Sequence, residues 1–137
     1  MELSTVDGGK ITFEDNVDPL LLSTFERLND QIFDRSLPET EIRWAKISGP
    51  LGCSMYGYLA NEQELSKTYL FVDERLRDRS LVLFAELTLI HEMCHFKVPT
   101  HNAAFVKEFL RALQRVSWEP LVGRCVTGVQ VVEDWGL

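Results

Sequence analysis

Hydrophobic residues recur at helical spacing in three stretches of this chain. Asp18-Pro19 pairs a capping residue with a proline suited to the first helical position. Leu21, Phe25, Leu28 and Ile32 then fall on one stripe, with Leu22, Asn29 and Phe33 beside it. This spacing predicts a helix over residues 19–34, ended by Ser36-Leu37-Pro38. A second helix is predicted over 79–97 from Leu81, Phe84, Leu87, Ile90 and Cys94. Val98-Pro99 stops it, because a residue before proline avoids the helical region. A third helix follows Thr100 or Asn102, either of which can cap it. It carries Phe105, Phe109, Ala112, Leu113 and Val116 on one side.

Between the first two helices the period drops to two. Residues 41–48 (EIRWAKIS), 53–60 (CSMYGYLA) and 67–73 (KTYLFVD) read as strands, separated by Gly49-Pro50, Gly52 and a polar connection over 61–66. Gly57 fits a bulge in the second of them. Lys10-Ile11-Thr12-Phe13 alternates weakly, as a short strand or ordered arm would. Residues 117–137 read as an irregular tail with one short strand. The order α-β-β-β-α-α predicts a single α+β domain over 1–137, with its core over 19–116 and a three-stranded, mostly antiparallel sheet.

Composition narrows the function classes. A chain of 137 residues, 45% hydrophobic and 26% charged, suits one ordinary globular domain. Cys53, Cys94 and Cys125 share no short spacing, which argues against a disulfide framework or a zinc ribbon. The N-terminal stretch is acidic and lacks an apolar core, unlike a signal peptide. The most apolar run, 81–90, is interrupted by Glu86 and falls short of the ~20 residues a membrane span requires. A cytoplasmic protein without a membrane partner is the expectation. A net charge of -7 disfavours binding to a nucleic-acid backbone. Arg75, Arg77, Arg79, Lys97, Lys107, Arg111 and Arg115 are interleaved with acids, as on a mixed solvated surface. A local basic patch is the lesser alternative.

The chemistry is concentrated in the histidines, all three of which lie within residues 91–101. His91-Glu92-Met93-Cys94-His95 fits H-E-x-x-H. On a helix, positions i and i+4 share a face, so His91 and His95 can present two imidazoles to one zinc ion. Glu92 can reach a metal-activated water without ligating the metal and serve as general base. A third protein ligand would complete an open, catalytic site. His101 can return to the metal across the proline turn, and Glu108 on the following helix is the alternative. Cys94 points about 100° away from His95 around the helix and reads as core. Met93 reads as packing or surface, Tyr56 and Tyr58 as sheet packing before carbonyl polarisers, and Trp44 as core.

With these residues in place, the chain resembles the SprT-like zinc metalloprotease domain. Two segments carry the resemblance. Residues 28–47 (LNDQIFDRSLPETEIRWAKI) are similar to that family's helix, turn and following strand, and Gly57-Tyr58 to its next strand. Residues 87–110 (LTLIHEMCHFKVPTHNAAFVKEFL) are similar to its HExxH helix and the His-x-x-x-Phe helix beyond. The resemblance implies a minimal zincin fold, His91, His95 and His101 as zinc ligands, Glu92 as the catalytic glutamate and Phe105 beneath the third ligand. The short gap between His95 and His101 is closer to the related WLM-type metallopeptidases. Some family members act on proteins crosslinked to DNA, a role that the acidic charge of this chain disfavours.

A zinc-dependent peptidase acting on protein or peptide substrates is therefore the leading expectation. An extended substrate would lie along a sheet edge formed by the third strand or its neighbour. The same ligands would also serve a zinc-containing binding module, or a zinc hydrolase of a non-peptide amide or ester.

Overall fold

Asp18 starts the first helix as its sequence suggests. Its side chain accepts the Leu20 N–H at 3.0 Å, and Pro19 occupies the first turn of α1 (Pro19–Phe33). The helix ends where Asp34 and Arg35 both adopt positive φ, at 51° and 61°. A computed structural model of the chain describes residues 2–4, 10–55, 59–60, 63–64 and 68–116. The strands are β1 (Glu2–Ser4), β2 (Lys10–Phe13), β3 (Thr40–Ile47), β4 (Gly52–Met55), β5 (Leu59–Ala60), β6 (Gln63–Glu64) and β7 (Thr68–Asp73). Two short 3-10 turns, Glu74–Leu76 and Arg79–Leu81, lead into α2 (Val82–Cys94), and α3 (Ala103–Gln114) follows. The architecture is α+β with a mixed sheet.

The main sheet has five strands in the order β1-β2-β3-β7-β4, and β5 and β6 form a separate pair. This corrects the expected count of three strands, while the expected mostly antiparallel pairing holds in all but the β3–β7 pair. β3 and β7 run parallel, with Ile42 opposite Leu70 and Trp44 opposite Val72. β4 pairs antiparallel with the far side of β7. The third predicted strand is thus interior, and its neighbour β4 is one of the two outer strands of the described sheet.

The physical reason lies at the end of β7. The buried Asp73 carboxylate accepts the Ile47 N–H at 3.0 Å and the Arg75 side chain at 2.7 Å. The Asp73 N–H donates to Leu51 O, and Arg75 reaches the carbonyls of Gly49 and Pro50. These bonds pin the β3–β4 connection across the end of β7. Gly49, at φ 99°, makes the turn.

Two further boundaries move. The strand predicted over 53–60 is divided between β4 and β5. Tyr56, Gly57 and Tyr58 lie outside the described residues, as do the tail residues 117–137. The helix predicted over 79–97 is regular only over 82–94. Asp78 draws Ser80 N–H into a 3-10 turn before it. After Cys94, the N–H groups of His95, Phe96 and Lys97 bond three residues back rather than four, tightening the last turn.

Alternation along the strands gives the sheet two buried faces. Ile42, Trp44, Leu70 and Val72 pack with Leu28 of α1, Leu89, Ile90 and Met93 of α2, and Leu113 of α3. Ile11, Phe13, Ala45 and Phe71 form a second cluster. Trp44 and Cys94 are core residues, as expected, and Met93 is fully buried. The arginines are largely engaged. Arg77 pairs with Glu14 and Asp18, Arg111 with Glu108, and Arg115 with Asp34. No helix among the described residues is long and apolar enough to cross a membrane.

Candidate metal centre

The site is built on α2, the turn after it and the start of α3. His91 sits in the last turn of α2, and His95 caps that helix with αR backbone angles. The helical phase therefore survives through both histidines. Val98-Pro99 then breaks the path. Asn102 caps α3 by accepting the Phe105 N–H at 3.0 Å. The reversal between Pro99 and Asn102 carries His101 back over α2.

The three imidazoles converge. His101 Nε2 lies 3.0 Å from His91 Nε2 and 3.0 Å from His95 Nε2. One ligand atom from each residue can be chosen so that all lie within 4.8 Å of one another. A proton on one nitrogen can bridge one such pair well. Three nitrogens meeting at one place match what a single cation needs, and His91, His95 and His101 can hold a metal ion.

The surroundings favour that use. His95 Nδ1 lies 3.2 Å from the Val98 carbonyl oxygen. Donating Nδ1–H there leaves Nε2 with its lone pair toward the cluster. Burial, followed by the neighbouring His95 and His101, pushes the His91 pKa down to about 4. Burial lowers that of His95 as well, overcoming the help its ring gains from the Val98 carbonyl. Both rings are thus neutral at pH 7, the form that ligates metal.

Phe105 forms the floor. It is 4% exposed, and its ring centroid lies 4.5 Å from that of His95, stacked at 23°. It meets His91 and His101 edge-on at 4.8 and 5.1 Å. Phe109, one turn further along α3, stands 5.7 Å from His91.

Glu92 is 6% exposed, and among the described residues its Oε2 has no hydrogen-bond partner. Burial pushes its carboxyl up to about 7. An orphaned carboxylate beside a ligand cluster is costly as mere structure and suited to holding or releasing a proton near neutral pH. Cys94 is a poor ligand candidate, because burial raises its thiol pKa to about 12. Glu108 is held by Arg111 through two bonds, 2.9 and 2.6 Å, and Arg111 also donates to Ile32 O of α1. It stands outside the histidine group.

In the sequence Val98 marks only a helix stop and Phe109 only an apolar stripe, and neither points to the site. Val98-Pro99 fixes the backbone next to His95, and Phe109 lies four residues after Phe105. Those were the available signals. Tyr56 and Tyr58 fall outside the described residues. Comparison of the chain with protein-family models, with curated proteins and with solved structures gives no match in any of the three.

Proposed function

We propose that this chain is a zinc-dependent metallopeptidase of the minimal zincin type, similar to the SprT-like family. The observation that carries the reading is the convergence of three imidazoles beside a buried carboxylate with an unpartnered oxygen. Tetrahedral zinc bound at about 2.0–2.1 Å places its ligand nitrogens about 3.3 Å apart, near the 3.0 Å separations here. Three imidazoles with one position left open are the donor set of catalytic zinc, and an all-nitrogen site suits zinc better than magnesium or calcium. When bound, zinc supplies Lewis acidity and lowers the pKa of a water at its open position.

The chain's own residues supply the remaining functions. His91, His95 and His101 would hold the metal, with the Val98 carbonyl fixing the ring of His95. Glu92 accepts a proton at its carboxylate from the attacking water and returns it to the leaving amine. A carboxyl near pKa 7 is matched to moving a proton in both directions.

The substrate side is supported by β4. The Asp73 N–H bonds Leu51 O, and Cys53 stands opposite Phe71 in the same register. Odd-numbered residues of β4 therefore bond to β7. Gly52 and Ser54 turn their N–H and C=O groups to the outer side. Those groups can pair with an extended peptide next to α2, which selects protein segments lacking their own secondary structure. DNA-bound proteins keep a lower standing as substrates, given the net charge of -7.

Zinc content and cleavage of an unfolded protein, measured for wild type and Glu92→Gln, test the reading. Stoichiometric zinc in both, with cleavage lost by about 10²–10⁴-fold in the variant, supports it. Zinc without cleavage in the wild type would leave a binding module, and absence of zinc binding would overturn the reading.

A further inference from the structure

Glu92 is held against a strand as well as carried by a helix. A Cβ added at Gly52 of β4 would stand 2.8 Å from Glu92 Cγ and 3.3 Å from Glu92 Cδ. It would also stand 2.8 Å from Thr88 Cγ2. Carbon atoms do not tolerate 2.8 Å without movement, since their optimum separation is about 3.5–4.0 Å. Thr88 lies one helical turn before Glu92, on the same side of α2. The Cγ methylene of Glu92 and the Thr88 methyl thus both close on the bare backbone of Gly52.

The need for glycine here is one of space rather than of backbone angle. Gly52 lies within a strand, while the positive-φ glycine of this turn is Gly49. β4 can approach α2 this closely only because position 52 carries no side chain. The same close approach makes Gly52 part of the wall that keeps water from Glu92.

We propose that Gly52 is a positioning residue for Glu92: the missing side chain on β4 sets where the Glu92 carboxylate sits relative to the three imidazoles. The inference rests on the peptidase reading for its kinetic consequence, and its geometric content stands apart from that reading. A side chain at position 52 displaces the carboxylate and leaves His91, His95 and His101 in place, because the three atoms nearest the added Cβ belong to Glu92 and Thr88. The base is then moved while the metal remains.

The test is Gly52→Ala, with Gly49→Ala as control. The control introduces strain at φ 99° and meets no atom within 4 Å, so it costs stability without touching Glu92. For Gly52→Ala we expect stoichiometric zinc, kcat lowered by about a hundredfold and KM changed far less. Gly49→Ala is expected to keep the wild-type kcat while melting at a lower temperature. An atomic structure of zinc-loaded Gly52→Ala reads the geometry whether or not the wild type cleaves. A displaced Glu92 carboxylate over unmoved imidazoles supports the proposal. Wild-type kcat in Gly52→Ala, loss of zinc together with activity, or an unmoved carboxylate would overturn it. A wild type that binds zinc and cleaves nothing counts against the peptidase reading alone, and the structure of the variant still decides the role of Gly52.

Discussion

His101 Nε2 stands 3.0 Å from His91 Nε2, although ten residues and a helix break separate them in the chain. That contact makes His101, rather than Glu108, the third ligand of the proposed site. His101→Ala is expected to weaken zinc binding by at least about a hundredfold in a chelator competition. Glu108→Ala should leave affinity unchanged, since Arg111 already occupies that carboxylate. The opposite pattern would move the third ligand to α3.

Phe105 supports all three rings at once, so its replacement should be felt as metal affinity. Phe105→Leu keeps an apolar side chain in the core but removes the flat surface under His95. Losses around a metal's immediate ligands typically reach 10–100-fold, and we expect zinc affinity to fall by about tenfold. Isothermal titration of the folded variant checks this. Full affinity would reduce Phe105 to ordinary packing.

Zinc that binds only the folded chain must stabilise it. At a free concentration a hundred times Kd the gain is about 2.7 kcal/mol, a rise of several degrees in Tm for a domain of this size. Chelator should abolish the rise, and His91→Ala should show none. A melting curve indifferent to zinc would count against a specific site.

Asp18 and Asp73 each contribute stability that acid removes. The Trp44 indole N–H, at 2.8 Å, does most to lower the Asp18 pKa, with Leu20 N–H and Arg77 adding to it against the effect of burial. Burial raises the Asp73 pKa, yet hydrogen bonds from the Arg75 side chain, the Arg75 N–H and the Ile47 N–H outweigh it, and the net shift is downward. A carboxyl whose pKa is lower folded than unfolded contributes stability above its unfolded value, here 3.8. That contribution is lost as pH falls through the folded value. The resistance of the wild type to urea should therefore lose this contribution below about pH 4. Asp73→Asn should be less stable at pH 7 and flatter with pH in that window.

Removing the Asp18 side chain takes two bonds at once. Asp18→Ala loses the cap on α1, worth about 1 kcal/mol. It also orphans the buried Trp44 N–H, at a further cost of about 1–3 kcal/mol. Chemical denaturation at pH 7 measures the sum, and a cost under 0.5 kcal/mol, as a rough threshold, would show that water replaces both partners.

The parts of the molecule legible in its sequence are those decided locally. The stripe from Leu21 to Ile32, the Asn102 cap and the His91–His95 phase each depend on residues within a turn or two of one another. The sheet order depends on Asp73 meeting Ile47 and Leu51 across the end of another strand. In the sequence Asp73 is only a polar residue at the end of an apolar run. The environment of Glu92 was hidden for the same reason. Its motif names the residue, and its burial comes from β4, some forty positions earlier. Helix ends shifted where 3-10 bonding competes with α-helical bonding, which spacing alone does not register.

The parallel pairing of β3 with β7 has a consequence for assembly. Ile42 must find Leu70 across a long excursion of chain before the sheet closes, whereas the three imidazoles belong to one uninterrupted helix–turn–helix. Contacts that are near in sequence form sooner and withstand disruption of remote ones better. A variant that loosens the sheet can therefore retain much of its capacity to hold a metal while losing the wall behind Glu92. Under the proposed function, zinc content would count intact hairpins of helices, and only catalysis would count intact sheets.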